Sequence, residues 1–203
     1  MQSSRTDVRA ALIVVSRGRP VIRSILRSGF LTMRWRLLER ITAFTPGKSA
    51  EGYATTNFPD ELFQDHFPSF PVTPGILLVE ISAQLAGRLV EVTGAQMHSN
   101  LVFPVLTMIS EAKFRQFVPP HSRLHIAAQL DQIRHESAIC SATVTYNGVR
   151  HASMRLMFAF DPDGNRDSRQ TAELERFERA EFLRLGLVGF PPEPVLVAEP
   201  VSP

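Results

Sequence analysis

The sequence predicts an α+β domain in which a curved antiparallel sheet wraps round one buried helix. Three observations carry this. From Gly75 to about Val92 the chain runs Ile76, Leu77, Leu78, Val79, Ile81, Ala83, Leu85, Ala86, Leu89 and Val90, which leaves almost no polar face over three turns. A helix apolar all round is a buried one. The segments that follow alternate apolar and polar residues over strand-like lengths. The last two of them meet at Asn147-Gly148, the strongest short hairpin signal. At 203 residues with 44% apolar content, the chain suits one domain with extra segments at its ends.

Residues 34–44 and 49–57 read as two strands joined at Pro46-Gly47. Residues 58–73 carry Pro59, Pro68 and Pro71, with Pro74 just beyond, so no long helix forms there and an irregular, stiff loop is expected. Pro74 suits the start of the central helix and Gly94 its end. Strands follow at about 101–118, 122–134, 136–147 and 149–160. The tail, 161–203, opens with Asp161-Pro162-Asp163-Gly164, offers a short charged helix over about 171–185, and ends in Pro-rich coil. It reads as peripheral to the domain.

The net charge of +2 hides an asymmetry: residues 1–40 hold nine Arg against Asp7 and Glu39, a balance of +7. The arginines are scattered, without aromatic platforms or zinc-finger or basic-zipper spacing, so no nucleic-acid partner is expected. The apolar run Ala10–Val15 is six residues long, far short of a span, so neither is stable membrane insertion. Alternation begins just after Met33, so residues 1–32 read as a basic extension dispensable for folding. The single Cys140 excludes an intramolecular disulfide and any Cys-based zinc cluster. It lies in an apolar alternating run and reads as a core residue, and a cytoplasmic setting is expected.

The chemistry centres on two residues. Glu80 stands between Val79 and Ile81 in the apolar helix, where an unpaired carboxylate costs several kcal/mol. It must therefore be paired, protonated or open to a cavity. A structural ion pair is the bland explanation. His66 lies in the irregular stretch ahead of that helix, in Phe63-Gln64-Asp65-His66-Phe67-Pro68. Alone, a loop His is usually a solvated or structural hydrogen-bonder. The other five, His98, His121, His125, His135 and His151, have no comparable setting, and His121 and His125 lack the spacing and carboxylate partner of a metal site. Together, an imidazole and an apolar-pocket carboxyl suit elimination of water from a β-hydroxy thioester, which needs a base for the C2 proton and an acid for the C3 hydroxyl. The N–H groups at the helix start, near Gly75 and Ile76, suit the charge that builds on the thioester oxygen. Gln84, one turn past Glu80, suits orienting the acid or its water.

The stretch Phe63–Gln84, F-Q-D-H-F-P-S-F-P-V-T-P-G-I-L-L-V-E-I-S-A-Q, resembles the signature of the β-hydroxyacyl-acyl-carrier-protein dehydratases of type II fatty-acid synthesis. The likeness extends through Leu37–Ile41, Pro46–Lys48 and Lys113–Pro119, covering about residues 34–160. It implies a hot-dog fold, acyl carrier protein as the bearer of the substrate, and no metal or redox cofactor. It also implies a homodimer, alone or as a trimer of dimers, in which His66 of one chain meets Glu80 of the other. Glu rather than Asp at position 80 resembles the branch that dehydrates without isomerising. Asp65 and Ser69 stand where the family has glycine, which bears on rate and substrate range. Lys113 and Arg115 are candidate contacts for the acidic carrier, or simply solvated strand charges. Two other functions fit the same fold, an acyl thioesterase and a catalytically weak acyl-binding partner subunit.

Overall fold

The computed structural model describes residues 36–66, 68–98, 100–160 and 168–187. The basic extension, Met33, the residues just before Arg36, the Asp161–Gly164 turn and the Pro-rich end of the tail lie outside them. Six strands and three helices follow one another in the order β1 (Leu38–Thr45), β2 (Ser49–Thr55), α1 (Asp60–Asp65), α2 (Gly75–His98), β3 (Val105–Phe114), β4 (Arg123–Ile133), β5 (Ser137–Tyr146), β6 (Val149–Ala159) and α3 (Ser168–Arg184). The strands form one antiparallel sheet ordered β1-β2-β4-β5-β6-β3. Helix α2 packs on β4 above all and touches every other strand. This is the hot-dog arrangement: a sheet curled round one helix.

The alternation that reads as strand in the sequence is what fills the core. On β5, Ala138, Cys140, Ala142 and Val144 turn inward; on β4, Leu124, Ile126 and Ala128; on β6, Met154, Leu156 and Phe158. They meet Ile81, Leu85, Leu89 and Val92 of α2, all essentially without exposure. Asn147 (φ 49°) and Gly148 (φ 76°) turn β5 into β6 in the left-handed region that a two-residue hairpin demands.

The structure departs from the sequence reading in several places. The Pro-rich loop contains a six-residue helix, α1, set between Pro59 and Pro68. Prolines bar a long helix and tolerate a short one that starts just after Pro59. Helix α2 runs through Gly94 to His98. Gly94 serves close packing there, for a Cβ on it would meet Cγ2 of the buried Val102 at 2.5 Å. Finally, the described part of the tail belongs to the core. Phe182 and Leu185 of this segment are fully covered, Leu187 nearly so, and Ile41 N donates to Leu185 O at 2.9 Å. The surrounding charge conceals these three apolar residues in the sequence.

Candidate active site

His66 is placed by α1. Phe63 is buried, packing on Phe58 with ring centroids 6.3 Å apart and edge-on to His121 at 5.4 Å. His121 adopts φ 54°, unusual for a side-chain-bearing residue, and its Nε2 lies 3.1 Å from Asp60 Oδ1. With α1 held through Asp60 and Phe63, His66 falls at its C-cap. Its Nδ1 is 3.3 Å from the Val72 carbonyl oxygen. A carbonyl only accepts, so this hydrogen bond places the proton of the neutral ring on Nδ1 and the lone pair on Nε2. The Val72-Thr73 backbone is itself fixed: both residues are buried, Thr73 N donates to Val118 O at 2.8 Å, and Thr73 Oγ1 donates to Pro119 O at 3.1 Å.

Glu80 is half-buried on α2, between the buried Val79 and Ile81. Gln84 Nε2 donates to Glu80 Oε1 at 2.9 Å, one helical turn away, as the spacing predicts. Gln84 Oε1 in turn accepts from Leu37 N at 3.0 Å. An amide whose oxygen is committed to a backbone N–H must turn its NH₂ the other way. The main chain ahead of β1 thus decides which group Gln84 presents to Glu80.

Gly75 and Ile76 are the first residues of α2, so their N–H groups have no acceptor inside the helix, while Leu77 N is taken by Pro74 O at 3.0 Å. A Cβ at Gly75 would stand 3.0 Å from the Phe114 ring, so the close approach that glycine allows is made by Phe114. The Ile76 side chain is 64% exposed, against the expectation of a helix covered on every side. Phe70, Phe114 and Phe117 are also exposed, and Phe70 and Phe117 pair edge to face with ring centroids 5.5 Å apart. Lys113 and Arg115 are engaged within the chain. Lys113 Nζ pairs with Glu111 Oε1 at 2.8 Å, and this ammonium holds the Glu111 carboxyl below the usual carboxylate range. Arg115 Nη1 donates to Ser153 Oγ at 2.7 Å.

The single chain thus gives His66 and Glu80 separate partners, Val72 and Gln84. Two groups that place these residues had no signal in the sequence: the Val72 carbonyl and the Leu37 N–H are backbone atoms, which every residue offers. Cys140 is buried, and desolvation, with Asp131 adding to it, pushes its thiol up to about 12, so it is no nucleophile. Among the described residues no group of three or more His, Cys, Asp or Glu is placed to hold a metal ion, and no helix is long and apolar enough to cross a membrane.

Residues 31–153 match the model of the FabA-like domain family. The 3-hydroxyacyl-acyl-carrier-protein dehydratase FabZ of Clostridium acetobutylicum is 30% identical over 122 residues, covering 60% of this chain and 84% of that one. The protein of the same name from Rickettsia rickettsii is 39% identical over 112 residues, covering 55% and 76%. A hypothetical thioesterase from Streptococcus pneumoniae, solved with coenzyme A, is similar at a TM-score of 0.48 and 10% identity, over 60% of this chain and 84% of that one.

Proposed function

The chain belongs to the FabA-like domain family, and on that premise we propose that it removes water from a (3R)-3-hydroxyacyl group carried on acyl carrier protein, leaving a trans-2-enoyl thioester. One observation carries the reading: the Glu80 carboxyl, set in the apolar helix between the buried Val79 and Ile81, is gripped at one oxygen by Gln84. In the proposed reaction His66 Nε2 takes the C2 proton and the thioester carbonyl accepts the electron pair as an enolate. The N–H groups of Gly75 and Ile76 would steady that oxygen. As the enolate collapses, the C3–O bond breaks and Glu80 gives its proton to the departing hydroxyl, which leaves as water. No group beyond these residues is needed for the atoms and electrons to balance.

The same reading makes the protein a homodimer in which His66 of one protomer meets Glu80 of its partner. Support comes from β3, an edge strand that exposes Val105, Met108, Ile109 and Phe114. A long apolar edge calls for cover, and a second copy of the same strand provides it. Lys113 and Arg115 lie at the end of this strand and just beyond it, and they remain the candidate contacts for an acidic carrier.

The test is to incubate the purified protein with 3-hydroxyacyl-carrier substrates of several chain lengths. Enoyl product supports the reading. Free acid would make it a thioesterase, and binding without turnover a partner subunit.

A further inference from the structure

Helix α3 lies beyond the residues matched to the family, and its polar contacts fall on the two segments that flank the Leu37–Gln84 hydrogen bond. It grips two neighbours. On α2 it holds Arg88, one turn past Gln84: Glu178 pairs with the Arg88 guanidinium, which also stacks over the buried Phe182 ring at 5.3 Å. Ahead of β1 it holds the segment Arg36–Leu38. Arg36 Nε lies 3.1 Å from Glu181 Oε2, the Arg36 guanidinium sits 5.3 Å from the Phe177 ring centre, and Arg184 Nη1 donates to Leu38 O at 2.9 Å. Between these two grips runs the link from Leu37 N to Gln84 Oε1, and from Gln84 Nε2 to Glu80 Oε1.

We propose that α3 is a positioning element for the Glu80 carboxyl, acting through Glu181 and Arg36 on the Leu37 N–H and thence on the Gln84 amide. Leu37 lies just before the first strand, where no ladder bond fixes its N–H. Arg36 on one side and Leu38 on the other are the residues that α3 ties down. Release of that tie removes the donor that engages Gln84 Oε1 and weakens the hold on the amide that Glu80 faces. Glu178 and Glu181 are nearly buried although both are acidic: Glu178 meets Arg88 of α2, and Glu181 meets Arg36 ahead of β1 as well as Arg184 of its own helix. The inference rests on the reading of Glu80 as the acid.

The experiment uses the full chain and compares wild type with Glu181→Gln, Arg36→Gln, Arg36→Lys, Gln84→Ala and the double variant Glu181→Gln/Gln84→Ala. Thermal melting, kcat and KM are measured on one 3-hydroxyacyl-carrier substrate. The expected result is a fall in kcat on the order of tenfold in Glu181→Gln and in Arg36→Gln, with KM nearly unchanged, because misaligned catalytic groups lose rate rather than binding. Arg36→Lys keeps the ion pair and should recover most of that loss. The double variant should lose no more kcat than Gln84→Ala alone, since both changes act on one amide. A merely structural α3 predicts lowered melting with kcat unchanged, or losses that multiply in the double variant, and either result overturns the proposal. If Glu181→Gln fails to fold, Arg36→Gln and Arg36→Lys decide it, since the Arg36 side chain is the more exposed partner. Failure of the underlying reading looks different: Glu80→Gln would then turn over like wild type.

Discussion

The His66 ring donates to the Val72 carbonyl and the Glu80 carboxyl accepts from Gln84, both partners being groups that the rest of the fold fixes. If they are base and acid, His66→Ala and Glu80→Gln should each lower kcat by about 10²–10⁴-fold with melting preserved. Near-normal turnover in either would remove the mechanism. A third ionisable residue on α2 concerns stability instead. Glu91 is 2% exposed and only one of its oxygens is engaged, by Arg88 at 2.6 Å. Burial raises its pKa to about 7, against the pull of Arg88. Since the folded value lies above the ordinary 4.5, the stabilisation is complete below about pH 4.5 and is lost as pH rises through 7. Glu91→Gln cannot ionise, and Arg88 keeps Glu178. At pH 8 the variant should be more stable than wild type, by on the order of 3 kcal/mol at most, and near pH 5 the two should differ little. Denaturant melts at both pH values check this; a less stable variant at pH 8 would reverse the sign.

At the scale of elements, α2 shows how packing overrides local preference. Glycine in a helix weakens it by about 1 kcal/mol relative to alanine, so Gly94→Ala should strengthen α2 on propensity alone. The added Cβ would, however, stand 2.5 Å from Val102 Cγ2, a stiff side chain with no room to move. Gly94→Ala is therefore expected to destabilise by roughly 1–3 kcal/mol, the usual range for overpacking. Combined with Val102→Ala, the two changes should cost clearly less than their sum, since each relieves the other. Additive losses in chemical denaturation would show that the contact is not what excludes a side chain at position 94. Helix α1 teaches the same lesson in reverse. Four prolines in and just after 58–73 shape that stretch, and Phe63, Asp60 and His121 still fix a short helix within it that carries His66 to its place.

For the whole molecule, the exposed edge of β3 is the feature that asks for a second copy. Ile109→Lys places a charge in the middle of that edge, where Met108 and Ile109 are both substantially exposed. If this edge forms the proposed dimer, the variant should sediment as a monomer where wild type is a dimer, and turnover should fall with it if the site is shared. A variant that remains dimeric and active would move the interface elsewhere. Sharing is tested directly by mixing. A heterodimer of His66→Ala and Glu80→Gln chains has one site with both residues intact and one with neither. Equal mixing with free exchange should therefore restore about a quarter of wild-type activity. No recovery despite proven exchange would place both residues of each site in one chain.

The sequence by itself determined the order of the strands and the buried helix, the hairpin at Asn147-Gly148, and the pairing of Gln84 with Glu80. All of these rest on local signals: a period of two or of 3.6, turn chemistry, and residues one helical turn apart. The tertiary structure alone decided which backbone groups hold the two candidate catalytic side chains, that α3 joins the core, and that β3 lies at an open edge. These depend on contacts between distant parts of the chain. Leu37 and Gln84 are 47 residues apart, and Arg88 and Glu178 are 90. No periodicity encodes such pairs, because a backbone N–H or a surface-like arginine looks the same in sequence whether or not the fold brings it a partner.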